Sequence, residues 1–309
     1  MTYNLETRRE QMKKICAILA AVGMGLISAC GGGSSTQGTA VSGVVADGYL
    51  QNALVFMDKN GNYQLDSGEP SATTDANGAY TLSIPPEEVG KYPIIAIAVA
   101  GQTTDKDNPG VTIGRTYVLC TPGAGVSGTV SNFISPVSTL LREKLEANPG
   151  MTMAEAMIQL RNQLGMPSGM NILGDYVAGT KSGSYMVESG IMHQVAQQMA
   201  GLMASQSGLV MGTTSTGTTS TNVTRFRSMM GVINANLPEI AANYQLGMGS
   251  PFMTSMENLM QTQLAGISTT SFMNFSASFR NMTTSRYFWT YTSGTMQPRS
   301  GGMGSGMMR

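Results

Sequence analysis

From residue 58 to residue 69 the chain reads DKNGNYQLDSGE. Asp58, Asn60, Asn62, Asp66 and Glu69 fall at positions 1, 3, 5, 9 and 12 of that run. A calcium ion takes about six to eight hard oxygen ligands, and a loop of about twelve residues can supply most of them. Alternate residues turn their side chains inward, and the backbone carbonyl of Gln64, at position 7, joins them. Glu69 can offer both carboxylate oxygens. Three carboxylates then face a double positive charge, and the two amides make up the count. The same residue types also build ordinary solvated turns, and a plain polar turn is the competing reading.

The remaining chemistry-bearing residues point less clearly. DKDNPG (residues 105–110) is a second acidic turn, read either as a plain turn or as a second cation site. His193, in GIMHQVAQQMAGLM, is the only histidine. It could serve as a catalytic base, but no nucleophile motif such as G-x-S-x-G accompanies it. Catalytic zinc usually needs three protein ligands, which one histidine does not provide. No Walker-type phosphate loop is present. The chain therefore reads as a non-enzyme, with an uncharacterised hydrolase as an alternative. Of the 26 methionines, 22 lie from Met151 onward. Thioethers are soft ligands that select Cu(I), and Met253, Met256 and Met260 share one helical face, with Met303, Met307 and Met308 further on. Methionine is also a good helix former and an adaptable core filler. Copper binding is thus a second alternative. Cys120, in the apolar run TYVLC, reads as a small buried hydrophobe or, less simply, a reactive thiol.

These residues sit in two different textures. VSGVVA, ALVFMD, AYTLSI, PIIAIAVA and RTYVLC are short apolar or alternating runs separated by turn clusters. TDANGAY carries a hairpin signal, with Asn77-Gly78 supplying the positive φ of a tight turn. Residues 40–122 are therefore expected to form a small antiparallel β-sandwich. After that the spacing turns helical. Ser135-Pro136 is a cap followed by proline at the first helical position, and Asn148-Pro149-Gly150 is a stop. Thr152 and Glu155 form a capping box. Further helices are predicted at about 186–205, 224–235, 238–245 and 251–264. GTTSTGTTSTN (212–222) reads as a mobile loop. Phe272, Phe275, Phe279 and Met282 would make one helical face, and SRYFWTYT prefers a strand by composition. The fold class is α+β: the sandwich, then a mainly α-helical domain over 123–292, then a disordered Gly/Met-rich tail over 293–309.

The N-terminal region is of a different kind. Lys13 and Lys14 precede an uncharged apolar stretch from Ile15 to Ile27. At about 1.5 Å per residue this spans roughly 20 Å, short of the ~30 Å hydrocarbon core, and suits a signal peptide better than a membrane span. It ends in Ile27-Ser28-Ala29-Cys30, which resembles a bacterial lipobox. The resemblance implies a signal peptide over 1–29, cleavage before Cys30 and a diacylglycerol thioether on its sulfur. A second and third acyl chain, palmitate among them, would make the anchor firm. Gly31 at the next position implies, by the same resemblance, export to the outer membrane. A start at Met12 would serve equally, since MKKICAILAAVGMGLISAC holds every part of the signal. Residues 30–39 then form a Gly/Ser-rich tether. With Cys16 removed and Cys30 acylated, Cys120 has no partner for an internal disulfide. Between Val41 and Gly110 nine acids face three lysines, whereas eleven bases face seven acids from Val111 on. The acidic half suits a cation. No basic cluster with interleaved aromatics suggests nucleic acid.

DKNGNYQLDSGE resembles the D-x-N-x-[DN]-x-x-x-D-x-G-E loops of calcium-binding B-type repeats in surface adhesins, and is similar to dockerin and EF-hand loops. TTDANGAYTL resembles the hairpin of carboxypeptidase regulatory-like and transthyretin-like sandwiches. The likeness covers about residues 41–121. It departs at position 6, where an EF-hand loop requires glycine and this chain has Tyr63, with Gly61 at position 4. The preceding ALVF is strand-like, so a strand–loop–strand site is expected. NFISPVSTLLREKLEANPGMTMAEAMIQLRNQLG is similar to a helical segment that follows such modules in bacterial surface lipoproteins. Together these imply a lipid-anchored cell-envelope protein with a binding or structural role, a calcium-stabilised β-module, and an envelope protein or extracellular polymer as partner.

Overall fold

Residues 39–45 alternate between core and solvent, and they form the first strand, β1 (Thr39–Val45). The structure is a computed structural model that describes residues 38–129, 131–213, 219–267, 289–292 and 295–298. The signal segment, Cys30, the predicted Phe272–Met282 helix and residues 299–309 lie outside the described residues. β1 pairs antiparallel with β5 (Ala79–Ile84), which shows the same alternation. Between them come β2 (Leu50–Gln51), β3 (Leu54–Met57) and β4 (Ser71–Thr73). β6 (Ile94–Ala98), β7 (Thr104–Asp105), β8 (Tyr117–Thr121) and β9 (Asn132–Ile134) follow. The strands make one three-stranded sheet in the order β5-β1-β9, one four-stranded sheet in the order β4-β3-β6-β8, and a short β2-β7 pair. All pairings are antiparallel except β1 with β9, which is parallel.

The turn at 75–78 corrects one expectation. Asp75 Oδ1 accepts the N–H groups of Asn77 (2.7 Å) and Ala79 (2.9 Å), and Gly78 takes φ +72°. A Cβ on Gly78 would stand 2.6 Å from the Val45 carbonyl oxygen. The tight turn is there, but β4 pairs with β3 and β5 pairs with β1. It therefore carries the chain from one sheet to the other and does not close a hairpin.

The helices start where their caps predict. Ser135 caps α1 (Pro136–Ala147) in a reciprocal box with Ser138, and Thr152 caps α2 (Met153–Gln163) with Glu155. α3 (Tyr176–Gly179), α4 (Met186–Ser205) and α5 (Ser207–Val210) follow. Asn222 caps α6 (Val223–Ala235), α7 spans Leu237–Ala242, and Ser250 caps α8 (Pro251–Ala265). The segment read as a mobile loop is paired at its ends, as β10 (Met211–Thr213) with β11 (Thr219–Thr221); residues 214–218 lie outside the described residues. β12 (Trp289–Thr292) pairs with β13 (Thr295–Pro298), inside the stretch read as strand and tail.

Every residue of β6 and β8 is buried. A strand covered on one face only would alternate, so both faces of this sheet are covered. α1 and α4 pack against β8 and provide the second cover. Ser138 Oγ donates to the Cys120 carbonyl at 2.7 Å, and Thr139 Oγ1 accepts the Cys120 N–H at 2.8 Å. The first turn of α1 thereby occupies polar groups of an edge strand that would otherwise invite another chain. The result is an α+β fold in which the apolar core runs without a break from Val41 to Leu264. No helix among the described residues is long and apolar enough to cross a membrane.

Candidate metal centre

The acidic run leaves β3 at Met57 and reaches β4 at Ser71, so it is a strand–loop–strand segment as expected. Its backbone turns through the left-handed region three times, at Gly61 (φ +76°), Tyr63 (φ +58°) and Gly68 (φ +85°). Positions 4 and 11 therefore have the glycine they need. Position 6 makes the sharp turn with a tyrosine, at a cost for a residue with a Cβ of roughly 1–2 kcal/mol.

The side chains converge. Asp58 is fully buried. Its Oδ1 accepts the N–H groups of Gly61 (2.7 Å) and Asn62 (3.3 Å), and its Oδ2 accepts that of Tyr63 (3.1 Å). Glu69 closes the loop from its far end: Oε1 accepts the Lys59 N–H at 2.7 Å and Oε2 accepts the Asp66 N–H at 2.9 Å. Asn60 Oδ1 accepts the Asn62 N–H at 3.0 Å, and Asn62 Oδ1 accepts the Gln64 N–H at 2.9 Å. Both amides then point their NH₂ ends at Asp66 Oδ2, Asn62 from 2.8 Å and Asn60 closer still. Positions 3, 5 and 9 thus meet at one oxygen. No N–H or O–H among the described residues donates to the Gln64 carbonyl. The loop's only lysine, Lys59, points to Glu88, outside the loop, at 2.7 Å.

Burial pushes the Asp58 carboxyl above the usual range, against the pull of the Gly61 N–H and the Arg142 guanidinium. Glu69 is also raised, again by burial, against the N–H groups of Asp66 and Lys59. Lone pairs remain for a cation. A carboxylate offers about four acceptor sites, and Glu69 uses two of them here. A half-turn of the Asn60 and Asn62 amides would exchange donors for oxygens at the point where they meet Asp66. Among the described residues no three acidic, imidazole or thiolate side chains stand together as a ready cluster. The reason is visible in the bonding. Asp58 and Glu69 hold backbone N–H groups, and Asp66 holds two amides.

Comparison with protein-family models, with curated proteins and with solved structures finds no match for this chain. The chemistry therefore rests on its own residues.

The other sequence candidates fall elsewhere. Asp105 Oδ1 accepts the Asp107 N–H at 3.0 Å, an ordinary turn bond. Asp107 Oδ2 meets His193 Nε2 at 2.6 Å and Gln197 Nε2 at 2.8 Å, so the histidine joins α4 to the second acidic turn. Among the described residues no hydroxyl bonds His193. Met253, Met256 and Met260 are buried in the apolar core. Cys120 is buried as expected, and that burial raises its thiol well above the usual range.

Sequence reasoning missed two features. Tyr63 is fully buried, with its ring between Arg142 and Phe226. A large aromatic at a glycine position of a polar loop was the available signal. Asp47 is also buried, and among the described residues its Oδ1 has no hydrogen-bond partner. No local pattern marks it.

Proposed function

We propose that this chain is a lipid-anchored cell-envelope protein with a binding or structural role, whose β-module is stabilised by calcium held in the 58–69 loop. Asp58, Asn60, Asn62, Asp66 and Glu69, with the Gln64 carbonyl, are the oxygen donors. Calcium would supply a fixed double positive charge among carboxylates that burial leaves short of counter-charge. The observation that carries the reading is the loop's path. Positions 3, 5 and 9 meet at one oxygen, the carboxylates at positions 1 and 12 hold the loop's own N–H groups, and position 6 turns left-handed even though its residue is tyrosine. A plain solvated turn does not require a buried aspartate at its start. The lipobox resemblance at Cys30 supports the membrane anchor and the outer-membrane location. The partner classes that fit are another envelope protein or an extracellular polymer.

Calorimetry with calcium on the full chain in detergent, with thermal unfolding alongside, tests this. About one ion per chain is expected, at the roughly 10⁻⁴–10⁻³ M affinity of extracellular modules. At about ten to a hundred times that concentration, the added stability is about 1.4–2.7 kcal/mol. An Asp58→Ala/Glu69→Ala chain is expected to show neither effect. A wild type indifferent to calcium at that concentration would reduce the loop to a polar turn.

A further inference from the structure

The loop's sixth residue is held from outside the loop. The Tyr63 hydroxyl donates to Glu143 Oε1 on α1, which also accepts from Arg142 Nη1 at 2.6 Å. The Arg142 guanidinium lies 4.4 Å from the Tyr63 ring centroid, and the Phe226 ring of α6 packs at 4.9 Å on a tilt of 54°. The Tyr63 carbonyl accepts from Thr221 Oγ1 at 3.3 Å, one residue before the Asn222 cap of α6. Its N–H donates to Asp58 Oδ2 at 3.1 Å. A left-handed tyrosine persists only where its surroundings over-determine it, and here the surroundings are the helices.

We infer that Tyr63 is the positioning residue of the metal centre, and that through it calcium in the loop tightens α1 and α6. The helices hold the ring, and the ring holds the turn that presents Asp58. By linkage the coupling runs both ways, so the helices in turn set the loop's affinity. This rests on the calcium reading above, and the test separates the two.

The experiment is hydrogen exchange on the full chain in detergent, with and without calcium, beside calorimetry on the same samples. In the wild type, calcium is expected to slow exchange in residues 58–69 and also in α1 and α6, by at least about five-fold, the lower end of ordinary coupling between sites. Tyr63→Gly adopts the left-handed turn freely but has no ring. It is expected to bind calcium more weakly, to keep slowed exchange in the loop, and to lose the effect on α1 and α6. Tyr63→Phe keeps the ring without the hydroxyl and is expected to retain only part of that effect, so it carries the test if the glycine variant does not fold. Slowing confined to the loop in the wild type overturns the inference and leaves the calcium reading standing. So does a Tyr63→Gly or Tyr63→Phe chain whose helices respond as the wild type does. If the wild type binds no calcium, the calcium reading fails, and Asp58→Asn decides the rest. Faster exchange in α1 and α6 than in wild type would keep Tyr63 as the link between loop and helices; unchanged exchange would remove it.

Discussion

The turn that leaves β3 and the turn that follows β7 are both rich in aspartate, asparagine and glycine, and both end against helices. They handle their charge in opposite ways. In the first, backbone N–H groups surround the carboxylates of Asp58 and Glu69, and two amides meet Asp66. In the second, the carboxylates of Asp105 and Asp107 lie over Gly48, where no Cβ would fit. Asp47, next to that glycine, is buried and accepts the Tyr117 hydroxyl at 2.8 Å. Burial, and then the charge of Asp105, pushes the Asp47 carboxyl up to about 8. In the first turn backbone and amide donors meet each of the three carboxylates. The second instead buries Asp47, whose carboxyl is pushed up, and sets His193 beside Asp107.

The sharpest way to break this comparison is through pH. Asp47 titrates near 3.8 when unfolded and at about 8 when folded. Between those values the native chain carries a proton that the unfolded chain lacks, so stability falls as pH rises. The full effect is up to about 6 kcal/mol, since each unit is worth about 1.4 kcal/mol. Asp47→Asn is expected to flatten that slope. Urea unfolding at pH 4 should find the two chains alike, and at pH 8 the variant more stable by several kcal/mol. A wild type whose stability is level from pH 4 to pH 8 would show that Asp47 is ionised and paired.

Asp58→Ala acts on the other turn. It strips the acceptor from the N–H groups of Gly61 and Tyr63, while that of Asn62 keeps Asn60 Oδ1, and a buried donor left unpaired costs about 1–3 kcal/mol. Denaturant unfolding without calcium is expected to show a loss of about 3 kcal/mol. A loss below about 1 kcal/mol would mean that water reaches those donors and that the loop is an ordinary turn.

How much of this the sequence announced depends on the reach of each signal. The caps at Ser135, Thr152 and Ser250 act within three residues, and they mark helix starts that the structure keeps. The alternation in β1 and β5 is equally local. The strands on either side of the 58–69 loop lie within a few residues of it, and that setting was legible for the same reason. Tyr63 was not, because it finds Glu143 across 80 positions of chain. The parallel strand β9 joins the first sheet from beyond the apparent end of the β-module, with nothing nearby to announce it. IIAIA and YVLC did carry a long-range message, since unbroken apolar strands need a cover on each face. Asp47 reads as any turn aspartate until the burial around it is known.

The smallest effect tests whether the two turns are separate. Asp107 is partly exposed and meets His193 at 2.6 Å, so losing its charge is expected to cost about 1 kcal/mol or less. Asp107 also raises the Asp47 carboxyl, as the weakest of the influences that do so. In Asp107→Asn the pH at which Asp47 gives up its proton is therefore expected to move down slightly. Relief of that repulsion partly offsets the lost histidine contact above pH 8, so the variant's deficit should be greater at pH 6 than at pH 9. Calcium should stabilise this variant as much as it does the wild type, because its loop from Asp58 to Glu69 is intact. A weaker calcium response in Asp107→Asn would mean that the helices relay charge between the turns, and the contrast drawn between them would become a coupling.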